Sequence, residues 1–296
     1  MYEKVLMPLD SSKVAQSALP YAEELAGHLK SELTLLYVCP PGDESSKPLH
    51  EQYLRIISEG VIREIGERYQ RKRGAKVNAV VLVGKPADEI IDYASKNDIS
   101  LIVLATHPRS GLMHRTTGHT VDKVLQEANM PIMLLTTEKA YPEAGPRQLI
   151  DRILLPLDGS GGGEAVLPYV AEFAKKLWTQ VTLLQVIDPS QHVHTVGGLT
   201  HVKFTEQQIE SMKARAQAYL EGTGKKLAGT KAFIRYEVRV GNATKEIVNV
   251  AKEMNARLIA ISPRHYPRFK FLVSGSVGQQ LMQATDIPVL MVRAQS

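Results

Sequence analysis

Two aspartates, Asp10 and Asp158, follow short apolar segments and are well placed to bind a polar ligand. Asp158 opens a glycine-rich segment, residues 158–164, with the sequence Asp-Gly-Ser-Gly-Gly-Gly-Glu. Glycine lets the backbone approach an anion closely, and a helix that follows supplies free N–H groups and a partial positive charge. The carboxylate can accept a hydrogen bond from a ligand amino or hydroxyl group. The segment therefore indicates a phosphate or nucleotide site that includes Asp158, Gly159 and Ser160.

The same segment has a purely structural interpretation. A tight strand-to-helix turn also favours glycine, and the aspartate can cap the helix that follows. The segment is not a P-loop, because that motif's spacing and its Lys-Ser/Thr ending are absent. The residues alone leave both interpretations open.

Asp10 and Asp158 are equivalent because the chain contains a long internal repeat. Residues 5–12, Val-Leu-Met-Pro-Leu-Asp-Ser-Ser, return as residues 153–160, Ile-Leu-Leu-Pro-Leu-Asp-Gly-Ser. The match continues after a nine-residue insertion. The total of 296 residues suits two domains. Two prolines and a glycine interrupt residues 141–147, so we expect domains at residues 1–138 and 150–296.

Aliphatic segments alternate with segments of helical periodicity in each copy. In the first copy we expect strands at residues 4–9, 33–38, 76–83, 101–105 and 132–135, and helices at residues 13–29, 52–71, 87–96 and 120–128. Such alternation requires an α/β fold, a parallel sheet with helices on both faces. Five strands are expected in the order 3-2-1-4-5, which places a ligand at the carboxyl ends of the first and fourth strands.

Composition limits the partners and the location. The net charge is +5, and no segment interleaves Lys and Arg with aromatic residues, so we expect no nucleic acid as a partner. The apolar segments are too short to span a membrane, and no signal-peptide pattern follows Met1, so we expect no membrane partner. The single cysteine, Cys39, suits a reducing cytoplasm and is expected to be a buried, inert thiol.

The loop after the fourth strand resembles that of the universal stress protein family. Family members that bind ATP typically have Gly-x-x-Gly, nine residues, and then Gly-Ser or Gly-Thr. The first copy has Ala105-Thr-His-Pro108, nine residues and Gly118-His119, and the second has Ser262-Pro-Arg-His265, nine residues and Gly275-Ser276. The spacing is kept, but the first two glycines are replaced in both copies.

The resemblance implies two tandem flavodoxin-like, adenine-nucleotide α-hydrolase-like domains and a degenerate site for ATP or another adenine nucleotide. In the second copy the adenosine end would meet Asp158 and the Val186 backbone, and Gly275 and Ser276 would hold the phosphates. In the first copy the matching positions are Asp10, Val38 and Gly118. Pro108 has no N–H to donate, so we expect the second copy to be the better binder.

The resemblance also implies a function in binding rather than turnover, as a cytoplasmic stress-response regulator, and the chain shows no recognisable catalytic set of residues. The implied partners are the two domains themselves, joined as a pseudo-dimer through residues 132–135 and 289–292, a second chain in a homodimer, and an unidentified protein. The alternative is an ATP-binding switch with slow ATPase activity in the second domain. The lone cysteine and scarce aromatics disfavour a redox module.

Basic residues in the altered loops and a group of three histidines could also bind a ligand. Basic residues in the altered loops can hold an anion directly or form a protein-docking rim: His107, Arg109, His114, Arg115, Arg264, His265, Arg268 and Lys270. His192, His194 and His201 have metal-binding side chains, and residues 189–200 are expected to be a loop. No carboxylate or cysteine completes such a set, so we expect no metal.

Overall fold

The structure is a computed structural model that describes residues 1–69, 75–106, 118–136, 149–195, 198–263 and 276–294, with the backbone alone for residues 190–203. These residues form two compact units. The first unit holds the described residues up to Leu149 together with Asp286–Arg293, and the second holds those of 150–263 and 276–285 together with residue 294. Residues 137–148, around the proposed domain boundary, lie outside the described residues.

The strands of both copies follow the expected pattern. The first copy supplies β1 (Lys4–Leu9), β2 (Glu32–Cys39), β3 (Val77–Val83), β4 (Leu101–Ala105) and β5 (Ile132–Leu135). The second copy supplies β6 (Arg152–Pro156), β7 (Gln180–Ile187), β8 (Ser190–Thr195), β9 (Gly198–Lys203), β10 (Phe233–Val240), β11 (Leu258–Ile261) and β12 (Val289–Met291).

Strand order confirms the predicted topology. In the first unit the order is β3-β2-β1-β4-β5, with every pair parallel. In the second unit the equivalent order β10-β7-β6-β11 is also parallel. Within the first unit β12 pairs antiparallel with β5, with Leu290 opposite Met133, so the last strands of the two copies meet as the resemblance implied.

The helices differ from expectation at the start of each copy. They are α1 (Lys13–Gln16), α2 (Leu19–Glu24), α3 (Lys47–Tyr69), α4 (Pro86–Lys96), α5 (His119–Glu127), α6 (Leu167–Lys176), α7 (Glu206–Gly224), α8 (Ala243–Glu253) and α9 (Val277–Ala284). The continuous helix expected over residues 13–29 is wrong, because α1 stops at Gln16. Pro20 lacks an N–H and its ring would clash with the carbonyl four residues earlier, so a new helix begins around it.

Residues 189–200 are not the loop that the sequence predicted. β8 and β9 form an antiparallel hairpin in which His192 lies opposite His201. β-branched residues alternate along both segments and favour strands over a loop. This hairpin falls where the second copy carries its insertion.

Apolar residues bury the central strands on both faces. Val5, Leu6 and Met7 are fully buried in β1, and β6 repeats this with consecutive buried aliphatic residues. Consecutive side chains point to opposite faces, so both faces of the sheet must be covered. The first polar side chain after each of these strands is an aspartate at the carboxyl edge of the sheet: Asp10 after β1 and Asp158 after β6.

Candidate functional site

The two aspartates make the same turn. The Ser12 backbone N–H donates to Asp10 Oδ1 at 3.0 Å, and the Ser160 N–H donates to Asp158 Oδ1 at 2.9 Å. The Ser160 hydroxyl accepts the Gly163 N–H at 3.0 Å, and Ser12 accepts the N–H three residues later at the same distance. The serine, not the aspartate, therefore caps the helical turn that follows, and the exposed carboxylate fixes the turn.

The second copy makes this turn with less strain. The residue after the aspartate has a left-handed backbone in both copies, with φ of 81° at Gly159 and 65° at Ser11. Glycine adopts this conformation freely, whereas a serine pays about 1 kcal/mol. Gly163 is required by close packing rather than by its backbone conformation, because a Cβ there would lie 2.5 Å from Asp158 Oδ1. The turn itself thus accounts for two of the glycines that suggested an anion cradle.

Aromatic residues fill the space beside Asp10 in the first copy. Tyr37 lies opposite Leu9, the residue before Asp10, in the β2–β1 register. Its ring stacks on His50, with centroids 3.8 Å apart and planes at 15°. Tyr53 meets Tyr37 edge-on at 6.4 Å, and burial raises the pKa of both phenols. This edge of the first copy is closed by its own side chains.

The second copy has smaller polar residues at the equivalent positions. Gln185 stands where the first copy has Tyr37, and Ser262 stands where it has Ala105. Gln185 Oε1 and Ser262 Oγ are buried and have no hydrogen-bond partner among the residues that the structure describes. Leaving such an atom unpaired costs about 1–3 kcal/mol. The two oxygens therefore favour a ligand that donates hydrogen bonds.

Strand register brings these polar groups to one edge. β6 lies between β7 and β11, with Leu184 opposite Pro156 and Ile259 opposite Leu154. Asp158 and Ser262 follow β6 and β11 directly or within two residues, and Gln185 lies two residues before the end of β7, so the three side chains lie near the carboxyl ends of neighbouring strands. A Cβ on Gly159 would be 3.3 Å from Gln185 Nε2, so the glutamine packs against the turn. Neither Gln185 nor its unpaired oxygen was identified from the sequence.

The structure places most of the other predicted residues at the same two edges. Val186 is opposite Arg239 in β7, and Val38 is opposite Leu82 in β2; both are half-buried. Ser276 caps α9, and its hydroxyl accepts the Gln279 N–H at 3.3 Å.

Gly118 and Gly275 are the other residues predicted to meet a phosphate. Gly118, with φ of 101°, precedes α5 without a side-chain cap. Gly275 and the eight basic residues of the altered loops lie outside the described residues.

Other features bear on what the chain can bind. Within the described ranges, no three metal-binding side chains gather in one place, and no helix is long and apolar enough to cross a membrane. The side chains of His192, His194 and His201 are not among those described. Cys39 is buried, and burial raises the pKa of its thiol.

Comparison with known proteins identifies the family. The model of the universal stress protein family matches residues 1–136 and 150–293. A universal stress protein of Synechocystis sp. is 23% identical over 315 residues, covering 98% of this chain and 100% of the relative. One of Methanocaldococcus jannaschii is 27% identical over 146 residues, covering 47% of this chain and 85% of the relative. The crystal structure of a universal stress protein from Archaeoglobus fulgidus shares the fold, with a TM-score of 0.69, 19% identity and 99% of both chains covered. The chain belongs to the universal stress protein family and carries the family's domain twice in tandem.

Proposed function

We propose that this protein is a cytoplasmic stress-response regulator that acts by binding, and that its second copy holds an adenine nucleotide. One observation carries the proposal: the Asp158 carboxylate, Gln185 Oε1 and Ser262 Oγ lie near the carboxyl ends of neighbouring strands, and the Gln185 and Ser262 oxygens lack a partner in the described part of the chain. Adenosine offers an amino group and two ribose hydroxyls, which are hydrogen-bond donors. The residues present therefore fit the adenosine end of such a ligand.

The two copies would then differ in function. In the first copy the stacked Tyr37–His50 pair occupies the position beside Asp10, and the turn carries the Ser11 side chain in place of glycine. A base would have to displace that pair. We therefore propose one nucleotide per chain, held by the second copy.

Phosphate binding would be weak. Ser276 is the N-cap of α9, and the N-terminus of this helix together with Gly275 would meet the phosphates. The family's first two glycines are replaced, so fewer backbone N–H groups can approach an anion. We expect the adenosine end to contribute most of the affinity and ATP and AMP to bind similarly. A second chain in a homodimer is part of the same proposal.

The test combines native mass spectrometry of the purified chain with calorimetric titration by ATP and AMP. The proposal predicts retained or titratable adenine nucleotide, and binding at least tenfold weaker in Gln185→Leu, because leucine cannot accept a hydrogen bond. Tyr37→Leu, the matched change in the first copy, should leave the nucleotide affinity of the second copy unchanged. Incubation with ATP followed by chromatography tests the alternative, since steady release of ADP would indicate a slow ATPase. No binding at millimolar nucleotide would remove the proposal.

A further inference from the structure

Two aromatic rings and two cations form an exposed patch at the amino edge of the second unit's sheet. Trp178 is 75% exposed and Phe233 is 63% exposed. Lys231 Nζ lies 5.9 Å from the centre of the Trp178 ring, and Arg235 Cζ lies 5.5 Å from that of Phe233. We call Trp178, Lys231, Phe233 and Arg235 the amino-edge patch. Large aromatic residues placed together in solvent mark a binding surface.

Strand register explains why these residues meet. Phe233 lies opposite Gln180, and its N–H donates to the Thr179 carbonyl at 2.8 Å. Alternate residues of a strand share one face, so Phe233 and Arg235 stand side by side on β10, and Lys231, two residues before that strand, lies over the Trp178 ring. The fold thus assembles the patch from two segments that are more than fifty residues apart in the sequence. No single segment could reveal it.

The first copy provides an internal comparison. At the positions equivalent to Gln180, Phe233 and Arg235 it has Glu32, Lys76 and Asn78. There Lys76 Nζ and Asn78 Nδ2 each lie 2.7 Å from a Glu32 oxygen. The same scaffold therefore closes this face with a polar network.

The second copy lacks the carboxylate that completes that network. Gln180 is neutral, and within the described residues neither Lys231 nor Arg235 has a carboxylate in ion-pair range. The last turn of α6, which leads to Trp178, adds the exposed Lys175 and Lys176. Since the first copy folds without rings here, folding does not require Trp178 and Phe233.

We propose that the amino-edge patch binds single-stranded nucleic acid. In proteins that bind single strands, bases stack on exposed aromatic rings and neighbouring cations hold the phosphates, without a strong preference for sequence. Trp178 lies two residues before the start of β7, and Phe233 begins the neighbouring strand β10 opposite Gln180, so successive unstacked bases would reach separate rings while Lys231 and Arg235 meet the phosphates. The proposal reverses the expectation drawn from the sequence, which considered only contiguous segments. It is independent of any nucleotide bound by the second copy.

The experiment uses the chain's single tryptophan as its reporter. The full chain is titrated with a twelve-nucleotide oligouridylate, with a duplex of the same length, and with vesicles of phosphatidylglycerol and phosphatidylcholine. The oligouridylate should quench Trp178 fluorescence saturably. Binding should weaken about fivefold to tenfold between 50 and 200 mM salt, as expected for roughly two phosphate contacts on a single strand.

The decisive variant is Gln180→Glu with Phe233→Lys, which installs the first copy's residues and keeps both Trp178 and the net charge. Oligouridylate binding, also followed by anisotropy of a labelled strand, should fall at least tenfold while the melting temperature stays the same. Quenching by vesicles alone, equal binding of the duplex, or full binding by the variant would overturn the proposal. A fluorescence change that depends on protein concentration alone would also overturn the proposal, because the patch would then bind another molecule of this protein.

Discussion

Ser160 donates twice to one oxygen of Asp158, through its backbone N–H at 2.9 Å and through its hydroxyl at 2.6 Å from the carboxylate Oδ1. The first copy keeps the backbone bond, from Ser12 to Asp10 Oδ1 at 3.0 Å. The aspartate thus has a structural task in both copies. Its proposed role in ligand binding is distinct from this structural role.

Asp158→Asn and Asp158→Ala separate the two tasks. Asparagine keeps a side-chain oxygen for the Ser160 donors but loses the charge, so stability should change by less than about 0.5 kcal/mol. Alanine removes the acceptor and should cost about 1–2 kcal/mol. Urea unfolding measures both. Equal losses from the two variants would contradict the structural part of the account.

Gly163→Ala tests how closely the next turn approaches the carboxylate. The new Cβ would lie 2.5 Å from Asp158 Oδ1, so the carboxylate or the turn must move, at a cost of about 1–3 kcal/mol. Gly162→Ala is the matched control. Its backbone is already helical, and its nearest neighbours would be 3.8 Å away, so that variant should be neutral or up to about 1 kcal/mol more stable. Thermal unfolding that ranks the two variants the other way would refute this packing.

Glu23 should make the first unit less stable as pH rises. Burial on α2 raises the pKa of its carboxyl to about 7, with Arg68 opposing the shift and Glu64 adding to it. Between pH 4.5 and pH 7 the unfolded chain loses this proton while the folded chain keeps it. The free energy of unfolding therefore falls by up to about 3 kcal/mol over that interval.

Glu23→Gln removes this pH dependence. The variant should match the unmodified protein near pH 4.5 and exceed it in stability at pH 8, as measured by urea midpoints across the range. Glu59→Gln, an exposed change on α3, should keep the original slope. A slope unchanged in Glu23→Gln would show that other groups cause it.

Arg293 stabilises the C-terminal end of α5. Its Nη2 donates to the Leu125 carbonyl at 2.8 Å and also to that of Gln126. These carbonyls have no partner within the helix, so Arg293→Ala should cost about 2–3 kcal/mol. The exposed Arg215, whose bond to the Ser211 carbonyl is 3.4 Å long, gives the control, with an expected loss of at most about 0.5 kcal/mol. Calorimetric melting of both variants checks the difference.

The sequence predicted the strands and their order well, because the same aliphatic segments occur at equivalent positions in both halves of the repeat. It failed where a local signal competed with a longer pattern. Pro20 divides a segment of good helical periodicity, and the hairpin over residues 190–203 falls where the second copy carries its nine-residue insertion, so the repeat offers no guide to it.

The site was predictable only in part. Asp10 and Asp158 are visible because they follow apolar segments at equivalent positions. The stacking of Tyr37 on His50 joins a strand to a helix, and the unpaired oxygens of Gln185 and Ser262 are recognisable only once burial and hydrogen bonding are known. The amino-edge patch was missed for the same reason, since strand register creates it.

The central claim is that the second copy alone binds nucleotide, through the edge that contains Asp158. The most direct test is the stoichiometry of ATP binding by calorimetry in the unmodified chain, in Asp158→Asn and in the matched Asp10→Asn. The account predicts one site per chain, at least tenfold weaker in Asp158→Asn and unchanged in Asp10→Asn. Two sites per chain, or a loss caused by Asp10→Asn instead, would contradict it.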